Sequence, residues 1–115
     1  MKVLIAEDTD SVRFALRMAV EHLGHEVVAT VANGEEALRK YEHLHPELVL
    51  MDVRMPLMDG LTCTAKLFEQ DPKAKVVIIT GGRTTEKDAV DAGALGFVEK
   101  PFEISELGRL IHSLA

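Results

Sequence analysis

The apolar residues of this 115-residue chain alternate between short unbroken runs and stripes at helical spacing, from one end to the other. Lys2 to Ala6 is the first run and reads as a strand. Val12, Leu16, Ala19, Val20 and Leu23 then recur on one face of a helix from about Asp10 to Leu23, and Gly24 supplies its stop. Val27 to Thr30 reads as a short strand. Asn33 can cap the next helix, with Glu36 at its third position; this helix turns Ala37, Leu38, Tyr41 and Leu44 inward and ends before Pro46. Leu48 to Met51 is a third run that stops abruptly on Asp52. After a loop holding Pro56, Asp59 is expected to cap a helix opening at Gly60, with Leu61, Ala65 and Phe68 on its inner face and its end before Asp71–Pro72. Val76 to Ile79 is the fourth run, closing on Thr80 and Gly81–Gly82. Thr84 or Thr85 can cap a shorter helix that stops at Gly93. Leu95 to Val98 reads as a fifth strand before Glu99-Lys100-Pro101, and Leu107, Leu110, Ile111 and Leu114 mark a last helix from about Glu103 to Leu114.

Strands written as continuous runs of Val, Ile and Leu have no solvent face, so they belong to a parallel sheet covered by helices on both sides. The pattern therefore predicts an α/β fold: one (βα)5 domain over 1–115, doubly wound, a parallel five-stranded sheet in a three-layer sandwich, with right-handed crossovers. Composition narrows this picture. No run approaches the roughly 18 apolar residues of a membrane span, and the start meets Glu7–Asp8 too early for a signal peptide. With one cysteine, Cys63, no intrachain disulfide can form, so a cytoplasmic protein without a membrane partner is expected. The net charge of -6, with Lys and Arg scattered and no Trp, argues against direct nucleic-acid binding. The histidine pairs His22/His25 and His43/His45 are wrongly spaced to share a helical face as zinc ligands. Cys63 lies off the expected inner stripe of its helix and reads as a bystander.

The chemistry gathers at the strand ends. In an open parallel sheet all carboxyl ends lie on one edge, where ligands bind. The first strand ends in Glu7–Asp8, the third in Asp52, the fourth in Thr80, and Lys100 follows the fifth. Three carboxylates brought together repel one another, and a hard divalent cation relieves this best, because Mg2+ takes one or two carboxylates and fills its other positions with water and phosphate oxygens. Asp52 could then act as a nucleophile toward phosphorus, with Lys100 offsetting charge on the transferring oxygens.

Glu7–Asp8, Asp52 with Pro56 and Asp59–Gly60 behind it, Thr80 with the small Gly81, and Lys100-Pro101-Phe102 together resemble the receiver domain of two-component response regulators, in the family's order and over essentially the whole chain. The resemblance implies the flavodoxin-like strand order 2-1-3-4-5, as in chemotaxis receivers, and a phosphoacceptor at Asp52. It implies Mg2+, or Mn2+ in its place, held by Asp8, Asp52 and the backbone carbonyl of Arg54, with Glu7 assisting through a bound water. Thr80 and Lys100 would bind the phosphoryl oxygens, the Gly81 loop would move, Phe97 would fill an aromatic switch position, and the Lys100–Pro101 bond would be cis. Glu7 stands where Asp is commoner in the family, and Phe97 where some relatives carry Tyr. Arg54 and Gly82 match positions that tune the phosphoryl lifetime.

The resemblance further implies a sensor histidine kinase or histidine phosphotransfer protein as donor. A downstream target would be met by the fourth helix, fifth strand and fifth helix, and the receiver would be a monomer or a phosphorylation-dependent dimer. On the first helix, Phe14 points away from the buried stripe with Arg17 and Met18 beside it, which marks a candidate docking patch for the donor. Three other functions fit less well. An aspartyl-phosphate phosphatase would carry its nucleophile after the first strand and a second Asp two residues on, where this chain has Arg54. A nucleotide or flavin site would place glycines, not Glu7-Asp8-Thr9-Asp10, after the first strand. A receiver serving only as a binding module would have no need of Asp8, Asp52, Thr80 and Lys100 together.

Overall fold

The computed structural model describes residues 1–114. Five strands, β1 (Lys2–Ala6), β2 (Glu26–Val31), β3 (Leu48–Asp52), β4 (Val76–Thr80) and β5 (Gly96–Glu99), alternate with five helices: α1 (Asp10–His22), α2 (Gly34–Leu44), α3 (Gly60–Gln70), α4 (Glu86–Ala92) and α5 (Ile104–Leu114). All neighbouring strands are parallel, in the order β2-β1-β3-β4-β5.

The unbroken apolar runs find their reason in two separate cores. Side chains alternate across a strand, so Leu4, Val49, Met51, Val76 and Ile78 face one way and pack with Ala37 and Tyr41 of α2, Cys63 and Leu67 of α3 and Ala89 of α4. Val3, Ile5, Leu48, Leu50, Val77 and Ile79 face the other way, against Leu16, Ala19 and Val20 of α1 and Leu107 and Ile111 of α5. The inner strands thus bury both faces, β3 and β4 at every position, while the edge strands β2 and β5 are only partly covered.

Local chemistry sets the helix starts. Asn33 accepts from the Glu36 amide at 2.8 Å, Asp59 from the Thr62 amide at 2.8 Å, and Thr85 and Asp88 form a reciprocal capping box. Several sequence expectations shift. The inner face of α3 is Cys63, Thr64 and Leu67, while Ala65 is exposed and Leu61 and Phe68 are half-buried. The buried Thr64 donates from Oγ1 to the Gly60 carbonyl at 2.7 Å and so satisfies itself within the helix. With Thr64 inside, Cys63 is a core residue rather than a bystander, its thiol meeting the Gly34 carbonyl at 3.4 Å. Leu44 and Leu95 are exposed, not inward, because α2 ends at Leu44 and β5 begins only at Gly96.

Candidate phosphoryl and metal site

Strand register assembles the site. Ala6 pairs with Met51, Asp52 with Ile79 and Thr80 with Glu99, so β1, β3, β4 and β5 end on one edge. Glu7 continues the β1–β2 ladder through its amide to the Val31 carbonyl at 3.0 Å, and Lys100 is fixed by its amide to the Thr80 carbonyl at 2.8 Å. These backbone bonds place the functional side chains before any of them touches another.

A cleft of 340 Å³ opens on that edge, with Asp8, Asp52, Arg54, Thr80, Gly81 and Lys100 among the residues that line it. Glu7 is fully buried beneath it, Asp52 is 5% exposed and Asp8 stands open to solvent. One carboxylate oxygen from each of Glu7, Asp8 and Asp52 lies within 4.8 Å of the others. The ammonium of Lys100 donates to Glu7 Oε1 at 2.5 Å and to Asp52 Oδ1 at 3.2 Å. Thr80 is buried, and its Oγ1 accepts from the Gly82 amide at 3.2 Å.

The electrostatics follow from this crowding. Burial, reinforced by the nearby charge of Glu7 and opposed by Lys100, pushes the Asp52 carboxyl up to about 6. Burial works against the Lys100 charge, but the hydrogen bond to Glu7 and the field of Asp52 outweigh it, and the ammonium is held above its usual value. A carboxylate kept high in this way gains from any cation that reaches it. The donors on offer are all hard oxygens, clustered and partly open to water, which fits a small divalent cation of the Mg2+ type and not a soft metal.

Two features of the site are not written in the sequence pattern. Arg13, on the first turn of α1, donates from Nη1 to the Glu7 carbonyl at 2.9 Å and reaches toward the Asp8 carbonyl at 3.5 Å, while Nη2 pairs with Asp10. It ties down the turn that carries both acids. Gly60 packs so tightly on β3 that a Cβ there would stand 1.9 Å from the Asp52 carbonyl oxygen, and its amide donates to the Val53 carbonyl at 2.8 Å. The loop after Asp52 is further tightened by Leu57, which adopts a left-handed conformation (φ 69°).

Comparison with known proteins decides the family. The sequence profile described as "Response regulator receiver domain" matches residues 3–112. The chain belongs to the response regulator receiver family. Among similar receivers is the chemotaxis protein CheY of Thermotoga maritima, 33% identical over 116 residues, covering 99% of this chain and 97% of that protein. CheY of Listeria monocytogenes is 38% identical over 105 residues, covering 90% and 88%. Among solved structures, the crystal structure of the CheX-CheY-BeF3-Mg+2 complex from Borrelia burgdorferi superimposes with a TM-score of 0.94 at 30% identity, covering 99% of this chain and 88% of that one. Accepting a phosphoryl group in two-component signalling is the function of this receiver family, which uses Mg2+ and works with kinases and downstream targets.

In this receiver the cleft brings together Asp8, Asp52, Arg54, Thr80, Gly81 and Lys100, with Glu7 beneath. The Lys100–Pro101 bond is cis. Phe97 lies apart from the cleft, half-buried on β5 beside Ile78 against the α2–α3–α4 core. The Arg54 guanidinium lies against Gly82, where an added Cβ would meet Nη2 at 3.0 Å. Phe14 and Met18 on α1 are 64% and 53% exposed, and Arg17 pairs with Glu21 at 3.6 Å. No helix among the described residues is long and apolar enough to cross a membrane.

Proposed function

We propose that this receiver accepts a phosphoryl group on Asp52 from a phosphohistidine of a sensor kinase or histidine phosphotransfer protein. The observation that carries the reading is a buried carboxylate at the end of the central strand, 3.2 Å from a lysine ammonium, beside a buried threonine and two further acids. An Asp52 oxygen forms the new bond to phosphorus as the bond from phosphorus to the imidazole nitrogen breaks, and the imidazole, protonated on its other ring nitrogen, keeps the bonding pair and leaves neutral. Asp52 must be ionised to attack, and Lys100 favours that form. Lys100 and the Thr80 hydroxyl bind the transferred oxygens, and the Gly81–Gly82 segment is free of the side chains that would bar its movement toward them.

Mg2+, or Mn2+ in its place, would be held by Asp8, Asp52 and the Arg54 carbonyl, and when bound it neutralises charge on the phosphoryl oxygens. Phe97 follows the rearrangement of Thr80 and alters the α4–β5–α5 surface offered to a downstream target. The chain is a switch rather than a turnover enzyme, and it acts in the cytoplasm as a monomer or a phosphorylation-dependent dimer. Incubated with Mg2+ and acetyl phosphate, the wild-type protein should gain the mass of one phosphoryl group. Asp52→Ala, or the wild type with excess chelator, should gain none, and equal labelling of the variant would sink the assignment.

Phe14, Arg17 and Met18 form the patch on which the donor docks, supported by two large apolar side chains exposed side by side on the helix that begins at the acidic edge. Phe14→Ala should slow transfer from the cognate phosphoprotein about ten-fold, as loss of an aromatic anchor does, while acetyl phosphate labels it at the wild-type rate. Unchanged transfer from the protein donor would remove the patch.

A further inference from the structure

We infer that Glu7 is the positioning residue for Lys100 and gives no oxygen to the metal, an inference that rests on the reading of the site proposed above. Both oxygens of this carboxylate are already engaged: Oε1 accepts from the Lys100 ammonium at 2.5 Å, and Oε2 accepts from the Thr9 amide at 3.1 Å. The side chain is wholly buried, so it cannot turn to find other partners without leaving two donors unsatisfied. Asp8 presents the opposite case, an exposed carboxylate on the same turn, free to face a cation.

The lysine makes the complementary argument. Its closer partner is Glu7, and Asp52 lies 0.7 Å farther by the difference between 3.2 and 2.5 Å. Among the described residues these two carboxylates are its only ion-pair partners. When Asp52 becomes an acyl phosphate or turns to a cation, Glu7 still anchors the ammonium at the rim of the cleft, where it can reach a phosphoryl oxygen. The glutamate backbone is itself pinned, by its own amide to Val31 and by Arg13 on its carbonyl, so the anchor is rigid. A rigid, buried anchor keeps a flexible lysine poised for transfer.

The test reads the lysine directly. With isotope-labelled lysine, the Lys100 ammonium protons should give a signal slowed in exchange in the wild type and in Asp52→Asn, and that signal should vanish in Glu7→Gln. Glutamine is neutral and has one acceptor oxygen for two donors, so the charge-assisted bond that slows exchange at Lys100 is lost whichever donor the amide keeps, while the volume is kept. At saturating Mg2+, Glu7→Gln should still accept phosphate from acetyl phosphate about ten-fold more slowly than wild type. In a Lys100→Met background, Glu7→Gln should cause no further loss, because the two residues act as one unit. A Lys100 signal that survives in Glu7→Gln, or a rate restored in full by raising Mg2+, would overturn the inference and make Glu7 a part of the metal site. The signal arm does not depend on phosphorylation. If Asp52 proved not to be the acceptor, the labelling of Asp52→Ala would show it while the Lys100 signal still reported on Glu7.

Discussion

Gly60→Ala should destabilise this receiver by about 3 kcal/mol or more. The added methyl would stand 1.9 Å from the Asp52 carbonyl oxygen and 2.8 Å from its carbon, and what it meets is backbone of a central strand, which cannot swing aside as a side chain can. Relief requires α3 to move off the sheet or the end of β3 to bend. Moving α3 opens the contacts of Cys63 and Leu67 in the core, and bending β3 displaces the carboxylate of Asp52. Urea denaturation measures the first cost and acetyl phosphate labelling the second, and both should suffer. Gly82→Ala is the matched control. There the methyl meets only the end of the Arg54 side chain, which is long and exposed, so the loss should stay below about 1 kcal/mol. Equal stabilities for the two variants would show that Gly60 serves turn geometry and not close packing.

Asp52→Asn should make the metal-free protein more stable at neutral pH. The folded protein holds the Asp52 carboxyl at about 6, against 3.8 in the unfolded chain, first because it is buried and next because Glu7 repels its charge. The raised value means that the folded state binds the proton more tightly than the unfolded state does. Stability from this group is therefore complete below about pH 4 and is lost as pH rises through about 6. At pH 7.5 the ionised carboxylate costs about 2–3 kcal/mol, which the neutral amide removes. The variant should melt of the order of 10 °C higher at pH 7.5, with the gain shrinking toward nothing near pH 4. Adding Mg2+ should narrow the difference by stabilising the wild type alone. A difference independent of pH would mean that the carboxylate is under no electrostatic strain.

That strain ties fold to function. A carboxylate held at a cost in a buried position beside Glu7 gains whenever a cation reaches it. Lys100 offsets part of the repulsion, yet Asp52 remains high, so the site stays responsive rather than fully satisfied. A surface Asp would lack this poise, because solvent would already screen it.

The architecture was legible in the sequence because parallel strands buried on both faces leave an unmistakable trace: unbroken apolar runs such as Leu48–Met51 and Val76–Ile79, each ending on a polar residue. Asn33, Asp59 and Thr85 gave the helix starts by the same local chemistry that caps them in the structure. The gathering of Asp8, Asp52, Thr80 and Lys100 followed from topology alone, since a parallel sheet puts every strand end on one edge. What stayed hidden depends on distances between elements. Nothing local distinguishes a glycine that opens a helix from one pressed against a carbonyl, as Gly60 is. The burial of Thr64 rests on a hydroxyl bond one turn back, and the same rotation of α3 places Cys63 in the core. Arg13 carries no motif of its own, and its hold on the turn that bears both acids depends on how α1 sits against that turn. Glu7, which the family resemblance sets beside the cation through a bound water, lies fully buried and meets Lys100 at 2.5 Å, a contact between the end of β1 and the segment after β5 that no local pattern reveals.

The central claim, that Asp52 carries the phosphoryl group, is tested most directly by chemical trapping. Borohydride reduces an acyl phosphate to an alcohol and leaves an ordinary carboxylate untouched, so the phosphorylated side chain is permanently marked. Protein phosphorylated with Mg2+ and acetyl phosphate, then reduced and mapped by peptide mass spectrometry, should carry homoserine at position 52 and nowhere else. An alcohol at position 7 or 8 with Asp52 intact, or phosphate recovered on a hydroxyl or an imidazole, would contradict the account.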